Sequence, residues 1–254
     1  MKPILVKPIL EVCCNDLVSV AAAIKGGADR IELCSALELG GLTPSYGLIR
    51  RTRSMLSLAR SKAKLNVLIR PRPGDFYYED FDKFAMLDDI SIARELGADG
   101  VVIGVLTDDD DIDTAMTADL IDRAKGMTVT FHRAFDHCRD PYQALEDIIK
   151  LGCDHLLTSG LQPTALEGIP MLRVLNDQAQ GRIKLIAASG INPENARQIL
   201  DLTGLNEIHA SASVEVGGDS DLEDKVRMGL ADTGTYRVTS MKIVSQIIAA
   251  INQR

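Results

Sequence analysis

The sequence predicts a (β/α)8 barrel (a TIM barrel), and three observations carry that prediction. Eight short apolar runs alternate with helix-patterned segments along 254 residues, the usual length of this fold. Polar residues recur inside those runs at every second position, so that Glu11 and Cys13, Glu32 and Cys34, Arg70 and Arg72, His132, His155, and Glu207 and His209 share one strand face. The same helix-to-strand turn appears three times, as Gly27-Ala28-Asp29, Gly97-Ala98-Asp99 and Gly152-Cys153-Asp154. A doubly wound open sheet is the competing architecture. It packs helices on both faces and keeps both apolar, which polar positions in first, middle and last strands contradict.

The elements follow in order. ILEVCC is the first strand, and LVSVAAAIKGGA is a helix that Asn15 or Asp16 can cap. RIELC is followed by PSYGLIRRTRSMLSLARSK, with Pro44 placed in its first turn. LNVLIR precedes DKFAMLDDISIARELGA, whose apolar residues keep helical spacing up to Gly97. GVVIGVL precedes the shorter TADLIDRAKGM. MTVTFHR precedes DPYQALEDIIKLGC, with Asp140 as N-cap and Pro141 at the first helical position. HLLTSG, KLIAASG and EIHASA are the last strands, separated by TALEGIPMLRVLNDQAQGR and NPENARQILDLTG and followed by TSMKIVSQIIAAINQR. One barrel domain over 1–254 is expected. Residues 213–239 interrupt the pattern with glycines and charges, and they read as a mobile loop lying over the C-terminal mouth.

Composition narrows the function. The net charge is −8, which disfavours nucleic acid and anionic membranes as partners. There is no Trp, and aromatic residues are only 4% of the chain, so a base-stacking platform is unsupported. No apolar stretch reaches the length of a membrane span, and Lys7 and Glu11 interrupt the N-terminal run, which reads as a strand rather than a signal peptide. Five cysteines, two of them adjacent and none in a CxxC pair, fit neither a secreted disulfide framework nor a structural zinc site. A cytoplasmic protein is expected.

Barrel active sites lie at the C-terminal ends of the strands. Here those ends carry Glu11, Cys13, Glu32, Cys34, Arg70, Arg72, His132, Arg133, Ser159, Ser189, His209 and Ser211. Such groups either fill the barrel with ion pairs or receive a ligand. Glu11, Glu32 and His132 are candidate acid–base groups, and Arg70 and Arg72, held by Pro71 and Pro73, are a candidate clamp for a small anionic metabolite. Ser159, Gly190 and His209 complete the candidate substrate site, with backbone N–H groups after the last strands facing an anion. Cys13 and Cys34, read as adjacent inward positions on neighbouring strands, are a candidate pair for copper(I), which prefers sulfur.

The stretches LEVCC, GGADRIELCSALELGGLTPS, IRPRPGDF, TFHRAFD, LLTSG with ALEG, and EIHASA run in order from residue 10 to about residue 212. In these stretches the chain resembles the CutC family, named for copper homeostasis. It departs from that family's pattern at Pro73, His137 and Ser189. The resemblance implies a TIM barrel, a cytoplasmic location, copper binding and a homo-oligomer, with a dimer favoured. It also implies that Cys13 and Cys34 are the copper(I) ligands. Two functions stand side by side: copper(I) binding through these cysteines, and an isomerase- or lyase-type enzyme acting on a small phosphorylated or carboxylated metabolite.

Overall fold

The computed structural model describes residues 7–217 and 235–253. Eight parallel strands close into a barrel in sequence order. They are β1 (Ile9–Cys14), β2 (Arg30–Leu33), β3 (Lys64–Leu68), β4 (Gly100–Ile103), β5 (Thr128–Phe131), β6 (His155–Thr158), β7 (Lys184–Ala187) and β8 (Glu207–Ala210). Eight helices alternate with them: α1 (Leu17–Gly26), α2 (Tyr46–Leu58), α3 (Asp80–Glu95), α4 (Thr114–Arg123), α5 (Pro141–Leu151), α6 (Ile169–Ala179), α7 (Ala196–Thr203) and α8 (Met241–Asn252). The expected architecture is therefore the observed one. Pro44 lies outside α2, which Ser45 caps by accepting from Leu48 N–H, whereas Asp16 and Asp140 cap α1 and α5 as expected.

Strand alternation sorts the core into two regions. Leu10, Val12, Ile31, Leu33, Leu65, Val67, Val101, Ile103, Phe131, Leu156, Leu185 and Ile208 belong to the large apolar layer between strands and helices. Inside the barrel, apolar filling is confined to two small clusters, Cys34–Leu68–Val102 and Leu157–Ile186–Ala188. Most of the remaining inward positions are polar. β4 contributes only Val102 in bulk there, because Gly100 and, just past its end, Gly104 occupy the other inward positions. A Cβ on Gly100 would meet Thr128 Oγ1 at 2.3 Å, and one on Gly104 would meet the His132 ring at 2.2 Å.

The three recurring turns have a structural task at the base of the barrel. Each glycine adopts φ between 82° and 93°, ending a helix, and each aspartate then accepts from the backbone N–H of the second residue of the preceding strand. Asp29 takes Leu10 N–H, Asp99 takes Leu65 N–H, and Asp154 takes Val129 N–H.

The segment read as a loop over 213–239 is a ribbon at both ends. β9 (Ser213–Gly217) pairs antiparallel with β10 (Thr235–Thr239), and residues 218–234 lie outside the described ones. Alternating Val214, Val216, Tyr236 and Val238 supply the strand pattern that the surrounding charges obscured. The ribbon shares a groove with Asn15, Ala36, Leu37 and Glu38 beside the mouth. Among the described residues, no helix is long and apolar enough to cross a membrane.

An ion chain occupies the lower barrel. Arg30 donates through Nε to Glu11 Oε2 and through a terminal nitrogen to Glu207 Oε2 at 2.7 Å. All three residues are buried. Removing the cation would strand two carboxylates, so Arg30→Ala is expected to cost about 3–5 kcal/mol in urea denaturation. A loss below about 1 kcal/mol would mean that the carboxylates find other partners or protonate without penalty.

Candidate active site at the barrel mouth

Above that chain, β1, β2 and β8 bring three reactive side chains together. Glu11 lies opposite His209 in the β1–β8 register, and Cys13 lies opposite Glu32 in the β1–β2 register. Cys13 Sγ, a Glu32 carboxylate oxygen and a His209 ring nitrogen all lie within 4.8 Å of one another. His209 Nδ1 is 2.7 Å from Glu11 Oε1, and Nε2 faces Glu32 Oε2 at 3.9 Å.

The charges follow from this arrangement. Burial alone would raise the Glu11 pKa, but the Arg30 charge and the His209 hydrogen bond bring it down to about 2. Glu11 is therefore a fixed carboxylate, and His209 Nδ1 must carry the proton it donates to it. Burial works against charge on His209. Neighbouring Cys13 and Glu32, and hydrogen bonds to Cys13 and Glu11, nevertheless raise its pKa well above the usual value. Glu32 is pushed up to about 7, by burial first and by the Glu11 charge, against the attraction of His209 and Arg30. The trio is thus held together by its own protons, and a cation could enter only by displacing them.

The opposite wall is built differently. His132 ends β5, and its Nδ1 accepts from Ala134 N–H at 3.1 Å, so the ring proton sits on Nε2. That Nε2 is buried and has no partner among the described residues. Burial, aided by the charge of Arg70, lowers the His132 pKa to about 3. Phe76 packs against the ring at 5.1 Å between centroids. Arg70 Nε is likewise buried with no acceptor in hydrogen-bonding geometry, although the guanidinium lies near the Tyr78 hydroxyl. Both walls face one cavity of about 130 Å³, lined by Cys13, Glu32, Leu37, Gly40, Leu68, Arg70, Phe76, His132, Arg133, Leu157 and His209.

Several expectations are corrected by this geometry. Glu11 is not an acid–base group, because Arg30 and His209 hold it as an anion beneath the cavity. His132 is a neutral hydrogen-bond donor, because burial and Arg70 suppress its protonation. Arg70 is no free clamp. Its terminal nitrogens donate to the carbonyls of Leu39, Gly41 and Gly74, which ties two loops over the mouth and leaves Nε. Arg72 lies outside the cavity lining, paired with Asp75 and Asp82 at 3.0 and 3.2 Å, because β3 has ended at Leu68. The N–H groups after β6 are filled by the chain's own carboxylate: Asp136 accepts from Ser159 N–H and Oγ, from Leu161 N–H and from Thr158 Oγ1. Gly190 is exposed beside Thr164 and is not part of the cavity.

The two cysteines are also offset. Cys13 pairs in register with Glu32, so Cys34 stands one inward position further along. Its thiol points to Cys14 O at 3.6 Å, packs with Leu68 and Val102, and is raised well above the ordinary range by burial. Sequence reasoning missed Arg30 and Asp136. Arg30 has the inward parity of Glu32 and could have been found that way. Asp136 reaches Ser159 across 23 residues, and no local signal announces it.

A TIM barrel with titratable groups gathered in a mouth cavity defines a protein whose chemistry sits at the C-terminal ends of its strands. The sequence model of the CutC family matches residues 8–214, and the chain belongs to that family. A Bacteroides thetaiotaomicron relative, named family protein CutC, is 50% identical over 245 residues, covering 95% of this chain and 97% of its own. A Vibrio campbellii relative of the same name is 42% identical over 248 residues, covering 96% and 98%. The crystal structure of a CutC from Streptococcus agalactiae, provisionally assigned there to copper homeostasis, aligns with a TM-score of 0.77 at 32% identity. It covers 80% of this chain and 98% of that one.

The Glu32 pKa has a consequence for stability. An unfolded Glu titrates near 4.5 and the folded one at about 7. The folded state therefore binds the extra proton between those values, and its stabilising effect is full below 4.5 and lost as pH rises through 7. Stability should fall across pH 4.5–7 with a slope of at most about 1.4 kcal/mol per unit from this group, and Glu32→Gln should flatten it. Urea midpoints at several pH values check this. An unchanged slope in the variant would place the titration elsewhere.

Proposed function

We propose that the chain is an enzyme that moves protons on a compact anionic metabolite at the barrel mouth. One observation carries the reading: His132 and Arg70, each with a buried N–H donor that makes no hydrogen bond, line the same cavity as a carboxyl group that titrates near neutrality. Unpaired buried donors are costly unless a ligand supplies acceptors. Carboxylate or phosphate oxygens do so. Glu32 and His209 then stand on the other wall as base and acid, since catalytic pKa values serve best near the working pH. The cavity of about 130 Å³ is small against the 300–1,000 Å³ of drug-sized pockets, which favours a substrate of a few heavy atoms.

Thermal-shift and calorimetric screens of small carboxylates and phosphates test this. A true ligand at about 100 times its Kd should stabilise the fold by about 2.7 kcal/mol. His132→Phe should abolish the effect and Arg72→Ala should leave it intact. The reading fails if no compound binds, or if binding survives His132→Phe.

Copper(I) as cargo is the second reading, favoured by the thiol of Cys13 beside a His209 nitrogen. The residues fit a two-thiol copper(I) site poorly. Cys34 is out of register and its sulfur is held as a thiol among apolar groups. The carboxylate that takes its place opposite Cys13 is a hard ligand, unsuited to a soft ion. Competition with a copper(I) chelator should give Cys34→Ser an affinity within about threefold of the wild type. Equal large losses in Cys13→Ser and Cys34→Ser would instead establish the two-cysteine site.

A further inference from the structure

The proton-transfer reading leaves Cys13 without a task, although its sulfur is the one thiol lining the cavity. Cys13, His209 and Glu11 form a connected series on adjacent strands. Glu11 accepts a hydrogen bond from His209 Nδ1–H at 2.7 Å, which fixes the ring and turns its other nitrogen toward the mouth. A His209 nitrogen lies within 4.8 Å of Cys13 Sγ. Arg30 in turn holds Glu11. This is the order of roles found wherever a nucleophile is served by an imidazole that a buried carboxylate orients. The two unpartnered donors, His132 Nε2 and Arg70 Nε, belong to the same cavity.

We propose that Cys13 is the site's nucleophile, with His209 as its proton partner and Glu11 as the residue that positions His209, acting on the carbonyl carbon of a compact carboxylated aldehyde or ketone. The proposal rests on the enzyme reading above and adds a covalent step to it. The Cys13 proton is already held on His209, whose raised pKa keeps it there, and the sulfur lone pair forms a C–S bond to the carbonyl carbon. The C=O π pair moves onto oxygen, where the His209 proton completes a hemithioacetal or hemithioketal. No leaving group, oxidant or reductant is required. The substrate's carboxylate oxygens meet His132 Nε2–H and Arg70 Nε–H, the donors that otherwise stay unmatched. The remaining cysteines are in no such arrangement: Cys14, Cys138 and Cys153 belong to the large apolar cluster between strands and helices, and Cys34 packs with Leu68 and Val102.

Alkylation of the native full-length chain, read by intact mass and peptide mapping, tests the assignment. Iodoacetamide should modify Cys13 at least about tenfold faster than any other cysteine, and His209→Gln should slow that reaction by at least about tenfold. Glu11→Gln should slow it severalfold and remove the hydrogen-bonded Nδ1 proton of His209 from the NMR spectrum. Should that variant fail to fold, Glu11→Asp serves, with a partial loss of both. A merely structural Glu11 would leave the rate unchanged in any variant that folds, whatever becomes of the Nδ1 signal. Iodoacetate separates the two proposals. A preference for it over iodoacetamide, relative to the same ratio on glutathione, and loss of that preference in His132→Phe report the anion site. Cys13 reacting fast without that preference overturns the anion reading and leaves the nucleophile standing. Cys13 reacting no faster than Cys138, or equally fast in His209→Gln, overturns the nucleophile whether or not anions bind.

Discussion

The structure depends on a guanidinium buried between two carboxylates. Arg30 bridges Glu11 on β1 and Glu207 on β8 from its own place at the start of β2, and so crosses the seam where the first and last strands close the barrel. Everything above is ordered by that bridge. Because Arg30 holds Glu11 charged, Glu11 can hold His209, and His209 can be presented to Cys13 and Glu32. An apolar filling of equal volume would give similar stability, since buried ion pairs rarely repay their desolvation. The charges in this barrel are explained better by what they position than by what they stabilise.

The cavity is chemically divided. One wall, from β1, β2 and β8, carries groups that exchange protons. The other, from β3 and β5, carries donors that do not: a neutral imidazole and the Nε of an arginine whose other nitrogens are occupied by loop carbonyls. Gly104, just past the end of β4, keeps the space for this second wall, since any side chain there would strike the His132 ring.

Much of this was legible in the sequence, because a strand's period of two is a strict rule. Parity alone placed Glu11, Cys13, Glu32, His132 and His209 inside the barrel, and it would have placed Arg30 there too. Parity gives a face but not a height, and the offset of Cys34 from Cys13 is a matter of height. It also ends where the strand ends. β3 stops at Leu68, and Arg72, which continues the alternation on paper, turns out to its aspartate partners. Contacts made by backbone carbonyls and by residues far along the chain leave no local pattern. That is why the capture of Arg70 by Leu39, Gly41 and Gly74, and the filling of the β6 turn by Asp136, could be read only from coordinates.

The repeated Gly-Xaa-Asp turns have a wider meaning. Each ties an even-numbered strand to the odd-numbered one before it, at the end remote from the cavity. The barrel is in effect latched at its floor in three two-strand modules, and the floor needs nothing from the loops above. Rim and floor are therefore separable parts. The loops that carry recognition can lengthen, exchange or be redesigned without unfastening the scaffold, and the variation available to this architecture lies almost wholly at one end.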